Sequence, residues 1–307
     1  MIDKLTHGLS FFFALTVFLT IAAVMGSLLY GGLDCFQQFG WDFLITSVWN
    51  PAAGQFGALV PVIGTLSTAG LALLIALPVS FGISYCITEI IPPFYRFPFT
   101  IIIELLAVIP SIIYGMWGLF VFIPYVGLDI SVWLSSALQN QFLIGQFFTG
   151  PAAGLSILTA SFILAIMIIP FITVTFKDAF DLVPLRLKES GYALGCTTWE
   201  IIWHIIVPHT RTQLVGGTML GLTRALGETM AVAFVIGNAY NITSSVLQPG
   251  TTIASSLANE FTEAESDVYT ASLISIGLIL FLVTIIISGL ARYLLVRLKR
   301  RSGGRNE

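Results

Sequence analysis

Six stretches of this chain are long, apolar and nearly free of charge: residues 9–30, 59–88, 97–123, 151–176, 214–236 and 269–291. An α-helix needs roughly 20 apolar residues to cross about 30 Å of hydrocarbon, and each run is long enough. Of the 307 residues, 56% are hydrophobic and only 9% are Asp, Glu, Lys or Arg. A water-facing surface needs nearer 25% charged residues, roughly, so a soluble fold is excluded. The predicted fold is an all-α integral membrane protein of six transmembrane helices, with 1–307 forming one domain. The first run exceeds the roughly 7–15 apolar residues of a cleaved signal and reads as a retained helix. Cys35, Cys86 and Cys196 lie in unrelated stretches and frame neither a disulfide scaffold nor a zinc site.

The charges sort by side. Lys4, Arg96, Lys177, Arg186, Lys188, Arg211, Arg292, Arg297, Lys299, Arg300, Arg301 and Arg305 fall at the N-terminus, in the loops after the second and fourth spans, or at the C-terminal end. Six spans place those segments on one side. The opposite segments, 31–58, 124–150 and 237–268, carry Asp34, Asp42, Asp129, Glu260, Glu263, Glu265 and Asp267, with no Lys or Arg. By the positive-inside rule both termini are cytoplasmic, in a multi-pass inner-membrane protein.

The sizeable cytoplasmic feature is the loop 177–213. Pro184 starts a short helix and Gly195 ends it. Thr197 and Glu200 then sit three apart ahead of the apolar run 201–207, the spacing of a capping box that opens a second helix, which Pro208 stops. Two short helices hinged at a glycine are expected. Taken alone, such a loop reads as an amphipathic segment resting on lipid headgroups.

The run Glu189-Ser190-Gly191, three residues, Gly195, nine residues, Ile205-Ile206-Val207-Pro208 resembles the EAA loop of ABC-importer permeases. Ser190 and Gly191 stand where that pattern has alanines, and Val207 where it has leucine. The resemblance implies a type I importer permease fold whose coupling helix docks on a cytoplasmic ATPase, with Glu189, Gly195, Thr197, Glu200 and Pro208 as the coupling residues. The segments 110–118 (Pro-Ser-Ile-Ile-Tyr-Gly-Met-Trp-Gly) and 224–232 (Arg-Ala-Leu-Gly-Glu-Thr-Met-Ala-Val) are similar to the phosphate-specific permeases of the PstC type. That kinship implies a second permease subunit of the PstA type, an ATPase dimer, an extracytoplasmic phosphate-binding protein, and phosphate as cargo.

Glu104, Arg224 and Glu228 lie at membrane depth. Each costs about 2.5–3.5 kcal/mol facing lipid on insertion scales, so each is expected to face protein or a wet path. The spacing of four puts Arg224 and Glu228 on one helix face. One cation against two carboxylates leaves a net −1, awkward for an anion route. Either one carboxylate is protonated or the partner subunit adds an Arg, and the second is favoured. Arg224 suits bidentate contact with phosphate oxygens, and Glu228 or Glu104 can accept from a P–OH, a proton that sulfate lacks. A structural ion pair that never touches substrate is the alternative. Pro110 interrupts the third span, as Pro61 and Pro78 do the second. Gly217 and Gly221 form a GxxxG face in the fifth span, and Gly227 follows. These glycines fit a gate, a subunit interface or tight packing within one bundle.

No GxxxxGK[ST] occurs and no lysine follows a glycine, so no P-loop is present and ATP is assigned to a partner ATPase. This chain is expected to bind no cofactor, metal or nucleic acid and to be no enzyme. The rival classes are a permease for molybdate or sulfate and an ion-coupled carrier using Glu104 and Glu228 as relays. A membrane enzyme is more distant, because no nucleophile lies at membrane depth.

Overall fold

The computed structural model describes residues 2–138, 141, 145–150 and 154–303. Helices dominate, and the pairings outside them are two isolated bridges, Asn50 with Gln55 and Gly237 with Gly250, among the described residues. Apart from the short turns Asp42–Ile45, Pro51–Ala53 and Gly145–Phe148, ten helical units follow in order among the described residues. They are α1 (Ile2–Phe39), α2 (Leu59–Ile90, its last turn Cys86–Ile90 π-helical), α3 (Pro93–Val108) and α4 (Ser111–Leu138, with a π-helical middle Gly118–Gly127). Then come α5 (Ile157–Asp181), α6 (Leu185–Ala193) and α7 (198–226), which runs from Thr198–Ile201 through the π-helical stretch Ile202–Ile206 to Val207–Leu226. The last are α8 (Met230–Val235), α9 (Ile253–Glu260) and α10 (Asp267–Gly303).

Among the described residues five helices are long and apolar enough to cross a membrane: Thr6–Phe39, Leu59–Ile90, Ser111–Leu138, Ile157–Asp181 and Asp267–Arg297. Two of the six expected spans differ. The run 97–123 is cut at Pro110, so its first part belongs to α3 and its second to the longer α4. The run 214–236 is cut after Leu226 and resumes at Met230. A six-crossing chain is compatible with this, the broken pair α7–α8 supplying the sixth. The first three residues of the expected fourth span, 151–153, lie outside the described residues. Pro61 and Pro78 do not interrupt α2: Pro61 occupies the first turn, where no N–H is required, and Pro78 is carried inside the helix.

The central helix is α5. Its buried residues, among them Ile163, Leu164, Met167, Ile168 and Ile172, form the main core with Ala69, Ala72 and Ala76 of α2 and with Val232 and Val235 of α8. Spacings of three and four keep the small residues of α2 on one face, which lets the backbones approach. Hydroxyls then reach across: Ser80 donates to the Ile169 carbonyl at 3.2 Å and Ser84 to that of Thr173 at 2.9 Å. Each such bond is worth roughly 0.6 kcal/mol in a membrane.

Smaller cores close the two ends. At one, Cys35, Phe43, Phe56, Ile253 and Tyr269 cluster, and the Glu260 carboxylate accepts from the Trp49 indole at 2.6 Å and the Tyr269 hydroxyl at 2.7 Å. At the other, Phe180, Val183, Ile201, Ile202 and Ile206 pack with Phe81 and Tyr85. The C-terminal third of α1 packs on α10, where Gly31 and Gly32 meet Ile274 and Ser275. Residues 6–26 of α1 and most of α3 are exposed, and no residue of α3 is buried.

Candidate functional site

Two broken helices meet beside the core. At the first break, Ile109 and Pro110 are both extended (ψ 130° and 134°), ending α3 and starting α4. Pro110 has no N–H to give the Leu106 carbonyl four residues back. The Tyr114 hydroxyl takes that place, donating to the Leu106 carbonyl at 2.9 Å, and the Ile109 N–H adds a longer bond of 3.4 Å to the same oxygen. At the next residue, Gly115, α8 crosses so closely that a Cβ would stand 2.9 Å from the Ala231 Cα.

At the second break α7 ends at Leu226, Gly227 leaves the helix at φ −90° and ψ 2°, and α8 begins at Met230. This overturns the shared face expected for Arg224 and Glu228. Glu228 lies beyond the end of α7, and its Oε1 accepts from the Ala231 N–H at 3.2 Å. The physical reason is that the first turn of α8 has unsatisfied amides, which draw in the carboxylate as a cap. Arg224 is exposed, and its guanidinium lies 5.6 Å from the centre of the Phe171 ring on α5. The close approach of Gly115 to Ala231 sets α4 and α8, the segments that follow the two breaks, side by side. Glu104 is exposed on α3, and no hydrogen bond or ion pair joins it to Arg224 or Glu228 among the described residues.

The glycines divide. A Cβ on Gly217 would meet Thr175 at 2.8 Å and one on Gly221 would meet Ile172 at 2.6 Å, so the GxxxG face lies against α5 of the same chain. A Cβ on Gly227 would meet the Thr223 and Arg224 carbonyls only at 3.8 and 4.0 Å, so this glycine marks the end of α7 rather than a close helix approach.

The second part of the site is the loop between α5 and the body of α7. Here α6 ends in a Schellman motif: the Cys196 N–H bonds the Gly191 carbonyl at 3.1 Å and the Gly195 N–H that of Tyr192 at 3.0 Å. Gly195 takes φ +85°, a left-handed conformation that favours glycine. Thr197 and Glu200 form the capping box. The Thr197 N–H and hydroxyl donate to Glu200 Oε2 at 2.7 and 2.8 Å, and the Glu200 N–H returns a bond to the Thr197 hydroxyl at 3.4 Å. The Thr197 N–H, then its hydroxyl, hold the Glu200 carboxyl below the usual range.

Pro208 is a correction. It does not stop the second helix, because α7 passes through it into the next span. The wider turns of Ile202–Ile206 just before it shift the hydrogen-bond register, and Pro208 falls in the first turn of the following α-helical segment. Trp203 stacks on Phe81 of α2, 5.8 Å between centroids, and Phe180 meets the Phe81 edge at 5.5 Å. Glu189 is exposed, as are Leu185, Trp199 and Leu194, the last at 85%. Next to Glu189, Lys188 points inward to Glu89 at 2.6 Å, with side chains 12% and 11% exposed.

Sequence reasoning did not find the Lys188–Glu89 pair, the Tyr114 bond, the Phe171 contact or the Gly115 crossing. Tyr114 had a local signal, a hydroxyl four residues after a proline. The ion pair joins residues 99 apart and had none.

Residues 86–300 match the family described as binding-protein-dependent transport system inner membrane component. The chain is 48% identical over 303 residues to the phosphate transport system permease protein PstC of Pasteurella multocida, covering 99% of this chain and 94% of that relative. It is 47% identical over 301 residues to the protein of the same name from Mesorhizobium japonicum, covering 98% and 92%. Among solved structures it resembles a bacterial alginate ABC transporter bound to its periplasmic protein, at a TM-score of 0.63 with 17% identity over 94% of both chains. It also resembles the inward-facing MetNI methionine ABC transporter, at 0.53 with 18% identity over 79% and 94%. At such identities these two likenesses speak to the fold.

Proposed function

Because the chain belongs to the binding-protein-dependent transport system inner membrane components, we infer that it is the permease subunit of an ABC phosphate importer, forming half of the translocation pathway. The kinship with phosphate permeases names the cargo. The observation that carries the mechanism is the loop of α6 and the start of α7: a capped, hinged unit packed on the span ends that exposes Glu189, Leu185, Leu194 and Trp199. A rigid base with an exposed apolar tip fits docking on another protein better than contact with water.

The finer assignments follow from that reading. A separate ATPase dimer engages the loop through Glu189 and its neighbours, the hinge at Gly195 and the capping box keeping the tip in register. Hydrolysis takes place on that partner, and this chain holds no cofactor of its own. Both termini face the cytoplasm, which puts the basic loop ends on the ATPase side. The acidic opposite face repels free phosphate, and a docked binding protein removes that obstacle by delivering the anion directly. A PstA-type subunit covers α3 and supplies a cation to Glu104.

Arg224 lies in the last turn of α7, just before its break, and half-helix ends are where membrane transporters handle charged cargo. Its planar fork takes two phosphate oxygens, and Glu228 or Glu104 accepts from a P–OH. The test is reconstitution of the whole transporter in vesicles. The expected result is ATP-dependent phosphate accumulation that sulfate and molybdate do not inhibit. Accumulation without ATP would establish the ion-coupled carrier instead, and inhibition by sulfate would remove the phosphate assignment.

A further inference from the structure

We propose that the ion pair between Lys188 and Glu89 is the joint through which movement of the docking loop reaches the translocation pathway; this deepens the proposed function and rests on it. Lys188 and Glu189 are neighbours on α6, about 100° apart around the helix. Glu189 faces out toward the docking surface, while Lys188 turns in and holds Glu89 at 2.6 Å. The only buried residue of α6 is Gly191, which rests on the flexible ends of Ile201 and Ile205. Apolar contacts of that kind slide. A charge pair with both side chains nearly nine-tenths covered does not, because each ion would be left uncompensated if they separated.

Glu89 is placed where a pull has consequence. It lies in the π-helical last turn of α2, Cys86–Ile90. The Arg96 Nε–H donates to the Ile91 carbonyl at 2.9 Å and braces the corner between α2 and α3. From that corner α3 runs up to the break at Ile109 and Pro110, which Tyr114 bridges one residue before α4 meets α8 at Gly115 and Ala231. A line of linked elements thus leads from the exposed loop, through one charge pair, to the broken helices beside Arg224. A surface pair of the same residues would transmit little, since screened ions separate at small cost.

The test uses the complete transporter in vesicles, reading phosphate accumulated per ATP hydrolysed beside the amount of ATPase that co-purifies. Lys188→Met and Glu89→Gln are each expected to keep the ATPase bound and hydrolysing, while phosphate per ATP falls by about tenfold, the scale of a lost coupling interaction. The double variant Lys188→Glu with Glu89→Lys restores the pair in reverse and is expected to recover most of the ratio; a mere staple of the fold would not move the ratio in assembled transporter. Assembled single variants with an unchanged ratio would overturn the proposal. So would a reversed pair that assembles with the ratio still low, or failure of all three variants to assemble. Wild-type transporter that moves no phosphate on ATP would instead defeat the functional assignment, leaving the two failures distinct.

Discussion

Arg224 is exposed on its own chain, lies over the Phe171 ring and has no carboxylate paired with it among the described residues. A cation–π contact of this sort is worth about 0.5–2 kcal/mol and holds the guanidinium in place without neutralising it. The charge is therefore oriented yet available, which suits a passing anion better than a structural pair. Arg224→Gln is expected to lower phosphate uptake by at least about tenfold, the worth of one charge-assisted contact, while the permease still co-purifies with its partners. Arg224→Lys keeps the charge and loses the fork, and is expected to recover only part of the rate. Normal uptake by an assembled Gln variant would remove Arg224 from the pathway.

The broken helix at Pro110 has its own energetics. With no N–H from Pro110, the Leu106 carbonyl relies on the Tyr114 hydroxyl at 2.9 Å and the weaker Ile109 amide. Tyr114→Phe is expected to cost about 0.6–1.7 kcal/mol of stability, the range for a side-chain hydrogen bond in a membrane, read as a lower unfolding temperature in detergent. In a Pro110→Ala background the restored amide can reach Leu106, so the same Tyr114→Phe change is expected to cost less; simple additivity would dismiss the bridging role. Proline and the capping box were legible in the sequence because their effects are local: Pro110 lacks a donor wherever it sits, and Thr197 and Glu200 are one turn apart. The end of α7 was not legible. Gly227 can continue a helix, and only the packing of α8 across Gly115 shows why the chain turns there. Pro208 failed as a stop because a π-helical stretch, which needs no proline or glycine, absorbs it. The Lys188–Glu89 pair depends on how two distant elements fold together, and neither residue announces the other.

At the scale of the molecule, what is left uncovered says what is missing. Residues 6–26 of α1 are exposed and suit lipid, being uncharged. The exposed helix α3 is different, because it carries Glu104 at membrane depth. A carboxylate against hydrocarbon costs about 2.5–3.5 kcal/mol, whereas one covered by a partner's cation is a gain that breaks badly when either side is lost. The two environments predict opposite signs for one substitution. If lipid faces Glu104, then Glu104→Gln stabilises both the isolated chain and the assembled permease. If a second permease subunit covers it, the same change stabilises the isolated chain yet weakens the pair, by about 1–3 kcal/mol for loss of a charged hydrogen-bond partner. The expected outcome is the second, measured as earlier dissociation of the co-expressed subunits on heating in detergent while the lone chain unfolds later. A heterodimer made more durable by Glu104→Gln would return α3 to the lipid and leave the negative balance around Arg224 to be met by protonation.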